Sequence, residues 1–136
     1  YMHRGRHPVL MKFRTGVTKD GRLAGMHLQT LVDGGGYGGY GVASTFYTGA
    51  LQTVTYELPR YKFEAARVFT NKPPCGPKRG HGTPQPRFAL EVHLDKIAES
   101  LKLDPEEVER LLTSAQQGFQ LSLNRALRES LAPSEF

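Results

Sequence analysis

Glycine and proline are concentrated in the middle of this sequence, and that concentration limits the folds open to the chain. Most of the 15 glycines and 9 prolines lie between Gly34 and Pro86. Both residue types disfavour the interiors of helices and strands, glycine through its backbone entropy and proline through its fixed φ and missing N–H. Regular structure is therefore expected mainly on the two flanks, with a loop-rich middle suited to a site or an interface.

The first flank has the pattern of an antiparallel β-hairpin. From Val9 to Val17, apolar or β-branched side chains occupy every second position, which is the period of a half-buried strand. Lys19-Asp20-Gly21-Arg22 supplies an Asp-Gly turn, and a second apolar run extends from Leu23 to Val32. A third strand is predicted from Tyr61 to Phe69 by the same alternation, and it ends there because the following Pro73-Pro74 forbids its continuation as a central strand.

The second flank has the periodicity of helices. Thr83 as a cap and Pro84 at the first helical position predict a helix from Pro84 to Leu101. A second amphipathic helix is predicted from Asp104 toward Ser130, and a short helix after a Ser44 cap is expected in the middle region. The expected fold is α+β, an antiparallel β-hairpin plus a further strand followed by two amphipathic helices, in a single domain over residues 1–136.

Charge and cysteine content exclude several classes of protein. The formal net charge of +5 favours anionic partners such as phosphates, coenzyme A or nucleic acid. Cys75 is the only cysteine, so neither an internal disulfide nor an iron-sulfur cluster can be built from this chain, and a cytoplasmic setting is expected. No apolar run approaches the roughly 18–20 residues of a membrane span. Weak aromatic interleaving argues against a nucleic-acid platform.

A glycine motif in the middle raises the possibility of a dinucleotide site. Gly36-Tyr37-Gly38-Gly39-Tyr40-Gly41 satisfies G-x-G-x-x-G, and Glu57 follows at a suitable distance. However, the strand before it is expected to belong to a hairpin, and tyrosines occupy positions where the backbone should approach a pyrophosphate. An ordered glycine loop beside a shared site is the favoured interpretation.

The histidines do not predict a zinc site, because no two of them have the H-x-x-x-H spacing of one helical face. His27 and His93 are expected to be structural. His81 differs, since glycines flank it in a loop that precedes a helix. Free amides at a helix N-terminus could let residues 78–83 hold an anionic oxygen or an oxo ligand, although an ordinary basic loop remains open.

This segment carries a resemblance to a known family. Arg79-Gly80-His81-Gly82-Thr83-Pro84-Gln85 is similar to the R-G-x-G-x-P-Q signature of the molybdenum subunit in the xanthine dehydrogenase and aldehyde oxidase family. Gly5-Arg6-His7-Pro8 and the stretches Asp33 to Gly38 and Ala50 to Thr53 resemble the 4-hydroxybenzoyl-CoA reductase branch. The resemblance runs from about His3 to Arg110, whereas Leu111 to Phe136 depart from the pattern.

The resemblance implies specific roles for residues of the signature. Arg79, Gly80 and Gly82 would contact the molybdenum cofactor, molybdopterin, mainly through their backbone. His81 stands where the family often has a phenylalanine against an aromatic substrate. Tyr47 falls near the substrate-binding arginine of purine oxidases, so an aromatic or aryl-CoA substrate is favoured over a purine. Cys75 does not match the active-site cysteine of carbon monoxide dehydrogenases.

The resemblance also implies that the chain is an internal piece of a larger catalyst. The family's Gly-x-Gly-Glu, which carries the general-base glutamate, is absent, so no catalytic residue is expected here and the chain alone should be inactive. FAD and iron-sulfur clusters would belong to partner domains or subunits. The alternative is a noncatalytic basic binding or scaffold module that uses Lys12, Arg14, Lys78 and Arg79.

Overall fold

The computed structural model describes residues 5–102 and, beyond them, the single residues Glu106, Arg110, Thr113, Gln117, Gln120, Leu121 and Asn124. In chain order the elements are β1 (Val9–Val17), β2 (Leu23–Asp33), α1 (Gly41–Ala50), β3 (Tyr61–Val68) and α2 (Pro84–Ser100), with a 3-10 turn at Gln52–Val54. The α+β class predicted from the sequence is confirmed.

The three strands form one mixed sheet in the order β1-β2-β3. β1 and β2 pair antiparallel, with Val9 opposite Val32, around a turn in which Gly21 has a φ of 82°. β3 instead pairs parallel to β2, with Met26 opposite Tyr61. Parallel neighbours need a crossover connection, and the glycine loop with α1 provides it. The glycine loop therefore leaves the carboxyl end of β2 and leads through α1 to β3.

Helix α1 lies closely on β3. A Cβ atom at Gly49 would overlap the ring of Phe63, and the Tyr61 hydroxyl donates to the Gly49 carbonyl at 3.0 Å. The helix begins at Gly41, so the prediction that Ser44 caps it is wrong. Ser44 lies inside the helix and is 1% exposed, and its hydroxyl contacts the Tyr40 carbonyl and His81 instead of capping a backbone N–H.

Helix α2 closes the core against the sheet. Met26, Tyr56, Leu90 and Leu94 form the buried cluster, which joins β2, the segment before β3 and α2. The Tyr56 hydroxyl donates to the Glu91 carboxylate at 2.9 Å, so its polar end is satisfied while its ring is buried. The predicted helix is confirmed with an end one residue earlier.

The second predicted helix, with its apolar positions, lies mostly outside the described residues. The seven single residues that are described there are each helical and exposed. Within the described part of the chain, no helix has the length and apolarity needed to cross a bilayer.

Candidate functional site

Residues 78–83, here called the signature loop, make a tight turn into α2. Gly80 and Gly82 have φ values of 77° and 73°, a region that residues with side chains rarely adopt. Thr83 closes the turn, because its backbone N–H and its hydroxyl both donate to the Gly80 carbonyl, at 2.9 Å and 2.8 Å. Thr83 is the N-cap residue, as predicted, but its hydroxyl holds the loop and makes no capping bond to the helix.

The signature loop lies directly against α1. A Cβ atom at Gly82 would come within 2.7 Å of the Ser44 carbonyl oxygen and 2.8 Å of Tyr47 Cβ, so only glycine permits this approach. The next residue back, His81, places Nε2 2.6 Å from Ser44 Oγ. Its ring also meets Tyr47 edge-on, with centroids 5.4 Å apart and planes at 66°. The structure therefore brings His81 and Tyr47, which are 34 positions apart in the sequence, into contact.

Residues 5–8, here called the N-terminal strap, lie against the signature loop and the residues that flank it. Arg6 donates through Nη2 to the Arg79 carbonyl at 2.6 Å. Gly76 donates its backbone N–H to the Gly5 carbonyl at 3.1 Å, and Gln85 donates its side-chain amide to the His7 carbonyl at 2.9 Å. The strap thus contacts the region before, at and after the cofactor residues predicted by resemblance.

An open groove runs along the outer side of α1 beside this contact. Its volume is about 540 Å³, which lies in the range of small-molecule sites. The lining is mainly aromatic and aliphatic: Gly39, Tyr40, Val42, Ala43, Phe46 and Tyr47. Since Tyr47 belongs both to the groove and to the His81 contact, the groove ends next to the signature loop.

The glycine tract proves to hold a protein side chain. The prediction that its preceding strand belongs only to a hairpin is wrong, because β2 also forms a β-α-β crossover with β3. The Arg67 guanidinium nevertheless fills the tract and donates to the carbonyls of Gly34 and Tyr37 at 3.0 Å and 2.9 Å. A Cβ atom at Gly34 or Gly41 would overlap Arg67. These glycines therefore accommodate an arginine, which explains them without a dinucleotide.

The other titratable candidates are structural. His93 Nε2 lies 2.9 Å from the Thr15 hydroxyl, and burial lowers the pKa of this histidine. His27 contacts the Glu64 carboxylate at 2.9 Å. Burial raises the pKa of the Cys75 thiol, which makes it a weaker nucleophile. In the described ranges, no three histidine, cysteine or acidic residues are grouped so that they could hold a metal ion.

Comparison with known proteins gives the class to which this fold and loop belong. Residues 1–111 match the family described as the molybdopterin cofactor-binding domain, and the chain belongs to that family. It is 34% identical over 126 residues to the nicotinate dehydrogenase large molybdopterin subunit of Eubacterium barkeri, covering 93% of this chain. It is 37% identical over 117 residues to a putative xanthine dehydrogenase molybdenum-binding subunit of Escherichia coli, covering 85% of this chain.

A solved structure shares the same fold. The aldehyde oxidoreductase from Desulfovibrio gigas superposes with a TM-score of 0.71 at 34% identity, over 76% of this chain and 11% of that one. The chain spans 29% of the Eubacterium barkeri subunit and 15% of the Escherichia coli subunit. The similarity therefore concerns one part of these larger relatives.

The signature loop fits the cofactor that the family name implies. Within the described residues, the backbone N–H groups of residues 79–82 donate to no protein acceptor. The loop is accessible, with Arg79 and Gly80 exposed, and Gly80 and Gly82 have no side chain that could cover its backbone. Free amides in such a turn suit the anionic oxygens that a molybdenum cofactor carries.

Sequence reasoning missed two residues that shape this site. Ser44 was expected to cap a helix, and its contact with His81 could not be seen because the two residues are 37 positions apart. Arg6 was noticed only as part of a family string, and its bond to the Arg79 carbonyl spans 73 positions. The flanking glycines did single out His81, because they predict an unusual backbone at that point.

Proposed function

We propose that the chain supplies one wall of the molybdopterin and substrate site in a molybdenum-dependent oxidoreductase. The observation that carries the proposal is the contact of the signature loop, with its free amides, against Tyr47 and the open groove. When bound, the cofactor supplies the redox centre. The residues of this chain bind and orient it: Arg79, Gly80 and Gly82 offer backbone groups, while Arg6 holds the Arg79 carbonyl.

The wall suits a flat aromatic substrate. Tyr40, Phe46 and Tyr47 give the groove an aromatic lining, and the His81 ring meets Tyr47 edge-on beside it. Such surfaces favour aromatic ligands through offset or edge contacts. Tyr47 provides no positive charge for an electron-rich purine. We therefore propose an aromatic substrate, and the sequence resemblance of Gly5 to Pro8 and Asp33 to Gly38 is the reason to propose an aryl-CoA of the 4-hydroxybenzoyl type within that class.

The remaining components would come from outside this chain. We propose that the rest of a molybdenum subunit completes the site, and that FAD and iron-sulfur clusters on partner domains or subunits carry electrons away. The family members named above are described as large or molybdenum-binding subunits, which supports a multi-part enzyme. A cytoplasmic location is part of the same proposal.

The test is cofactor retention in a glycine variant of the signature loop. Gly82→Ala places a Cβ atom against Ser44 and Tyr47 at a positive φ, which costs about 1–2 kcal/mol for the backbone alone. The chain, with any polypeptides that co-purify, is isolated from a host that makes the molybdenum cofactor. We expect molybdenum and pterin content per chain to fall by roughly tenfold or more.

The matched control is Gly38→Ala, because a Cβ atom there meets nothing within 4 Å and Gly38 has no positive φ. Both variants are checked for folding by circular dichroism. Normal molybdenum and pterin content in a folded Gly82→Ala protein, or none in the unaltered protein, would refute the proposed function.

A further inference from the structure

Ser44 holds one nitrogen of His81 and leaves the other available. Nε2 is 2.6 Å from Ser44 Oγ, and Ser44 is 1% exposed, so this bond is shielded from water. Within the described residues, Nδ1 has no hydrogen-bond partner. It is absent from the buried polar atoms that lack a partner, so it is accessible. The imidazole is therefore anchored at one end and accessible at the other.

The contacts of Ser44 favour one of the two neutral forms of His81. Ser44 Oγ also lies 3.4 Å from the Tyr40 carbonyl oxygen, and a carbonyl can only accept a hydrogen bond. A hydroxyl has one proton to donate. If both contacts are hydrogen bonds, Ser44 donates to Tyr40 and accepts from His81, so Nε2 bears the hydrogen and Nδ1 is an acceptor.

We propose that Ser44 is a positioning residue that fixes His81 in the Nε2–H tautomer, so that Nδ1 accepts a hydrogen bond from an aromatic substrate bearing a hydroxyl or a ring N–H. The inference about substrate rests on the proposed function. The inference about the tautomer rests only on the contacts of Ser44. A phenylalanine at position 81 would give the same flat surface without this selection, because carbon atoms of a ring accept no such bond.

The first arm of the test reads the tautomer directly. The full chain is labelled with nitrogen-15, and long-range proton-nitrogen correlation spectra are recorded at about pH 8, above the ordinary pKa range of histidine. We expect His81 to carry its proton on Nε2. Ser44→Ala should give a mixture of both tautomers, because the fixed acceptor is lost.

The matched control is Thr45→Ala. Thr45 donates its hydroxyl to the Gly41 carbonyl at 2.8 Å on the same helix, the same kind of bond that Ser44 makes to Tyr40, but within the described residues it has no hydrogen bond to His81. This variant should leave the His81 spectrum unchanged. A wild-type proton on Nδ1, or an unchanged tautomer in folded Ser44→Ala, would overturn the positioning role.

The second arm measures selectivity in the cofactor-loaded protein. Dissociation constants are compared for 4-hydroxybenzaldehyde and 4-methoxybenzaldehyde, which differ in the hydroxyl donor. We expect the wild type to prefer the hydroxyl compound by about 3- to 10-fold, the usual range for one hydrogen bond. Ser44→Ala and His81→Phe should each reduce that preference, and the two changes together should have no larger effect than His81→Phe alone.

The two arms separate the two claims. If the tautomer behaves as expected but the wild type binds both aldehydes equally, the role of His81 toward substrate is overturned while the tautomer result stands. Loss of cofactor in the glycine variant, together with an unaltered tautomer in Ser44→Ala, would instead overturn this inference and support the proposed function.

Discussion

At the scale of single residues, the Arg67 side chain fills the space into which a side chain at Gly34 or Gly41 would extend. Its guanidinium donates to the carbonyls of Gly34 and Tyr37, and its side chain occupies the space in which a Cβ atom of Gly41 would lie. Gly41 itself has no positive φ, so its backbone would accept alanine. The constraint at this position is therefore the neighbouring side chain.

Gly41→Ala is predicted to lower the stability of the protein only when Arg67 is present. Gly41→Ala should destabilise the protein by about 1–2 kcal/mol, because Arg67 must give up its hydrogen bonds. In an Arg67→Ala background the same change should be neutral or stabilising, since alanine is the better helix former. Denaturant unfolding of the four proteins measures the free energies. An equal penalty in both backgrounds would show that Arg67 does not cause the constraint.

At the scale of elements, Asp33 connects the end of β2 to the segment that follows β3. Its carboxylate accepts hydrogen bonds from the Thr70 hydroxyl at 2.6 Å, the Lys72 ammonium at 2.7 Å and the Gly35 backbone N–H at 3.1 Å. The hydrogen bond from Lys72, followed by those from Thr70 and Gly35, lowers the pKa of Asp33 from 3.8 to about 2. The segment after β2 and the segment after β3 are thereby both bonded to the Asp33 carboxylate.

This pKa predicts how stability depends on pH. Because the folded-state pKa lies below the ordinary value, the contribution of Asp33 is fully present above about pH 3.8 and is lost as the pH falls toward about 2. Asp33→Asn should lower stability at neutral pH and flatten the pH dependence in that window. The measurement is denaturant unfolding at a series of pH values.

Glu64 provides the comparison for this prediction. Lys62, then Gln29 and His27, lower the pKa of Glu64 to about 2 as well, but its side chain is 45% exposed whereas that of Asp33 is 14% exposed. Solvent screening weakens exposed ion pairs, so Glu64→Gln should flatten the profile less. A larger effect from Glu64→Gln would contradict the assignment of the slope to Asp33.

The strands and α2 could be predicted from the sequence because their signals are local. The alternation from Val9 to Val17 and the Thr83-Pro84 start each depend on neighbouring residues. The parallel pairing of β3 depends on a crossover through α1, and the contact of Ser44 with His81 joins residues that are distant in the sequence. For the site, the resemblance identified His81 and Tyr47 as candidates, while their contact required the structure.

At the scale of the whole molecule, the buried cluster beneath α2 is small and joins α2 to β2 and to the segment before β3. Leu90 of α2 is fully buried beside Met26 of β2 and Tyr56 of the segment before β3. Phe88 lies on the same helix but is 73% exposed. Burial of one large side chain in so small a core contributes a substantial share of the total stability.

We therefore expect Leu90→Ala to destabilise the fold by about 2–5 kcal/mol, through lost burial and the cavity that remains. Phe88→Ala should stay within about 0.5 kcal/mol of the unaltered protein. Thermal unfolding followed by circular dichroism measures both. Similar effects from the two substitutions would show that the described core does not control the stability of the chain.

The route of the N-terminal strap has a consequence for the order of events during folding. The Arg79 carbonyl is held by a residue 73 positions earlier, and Gln85 reaches back 78 positions to His7. Contacts between such distant residues form slowly, because the ends of a long segment must first meet. We therefore expect the loop proposed to receive the cofactor to reach its final shape only when the strap and the start of α2 have come together, so that insertion of the cofactor would follow the folding of this domain.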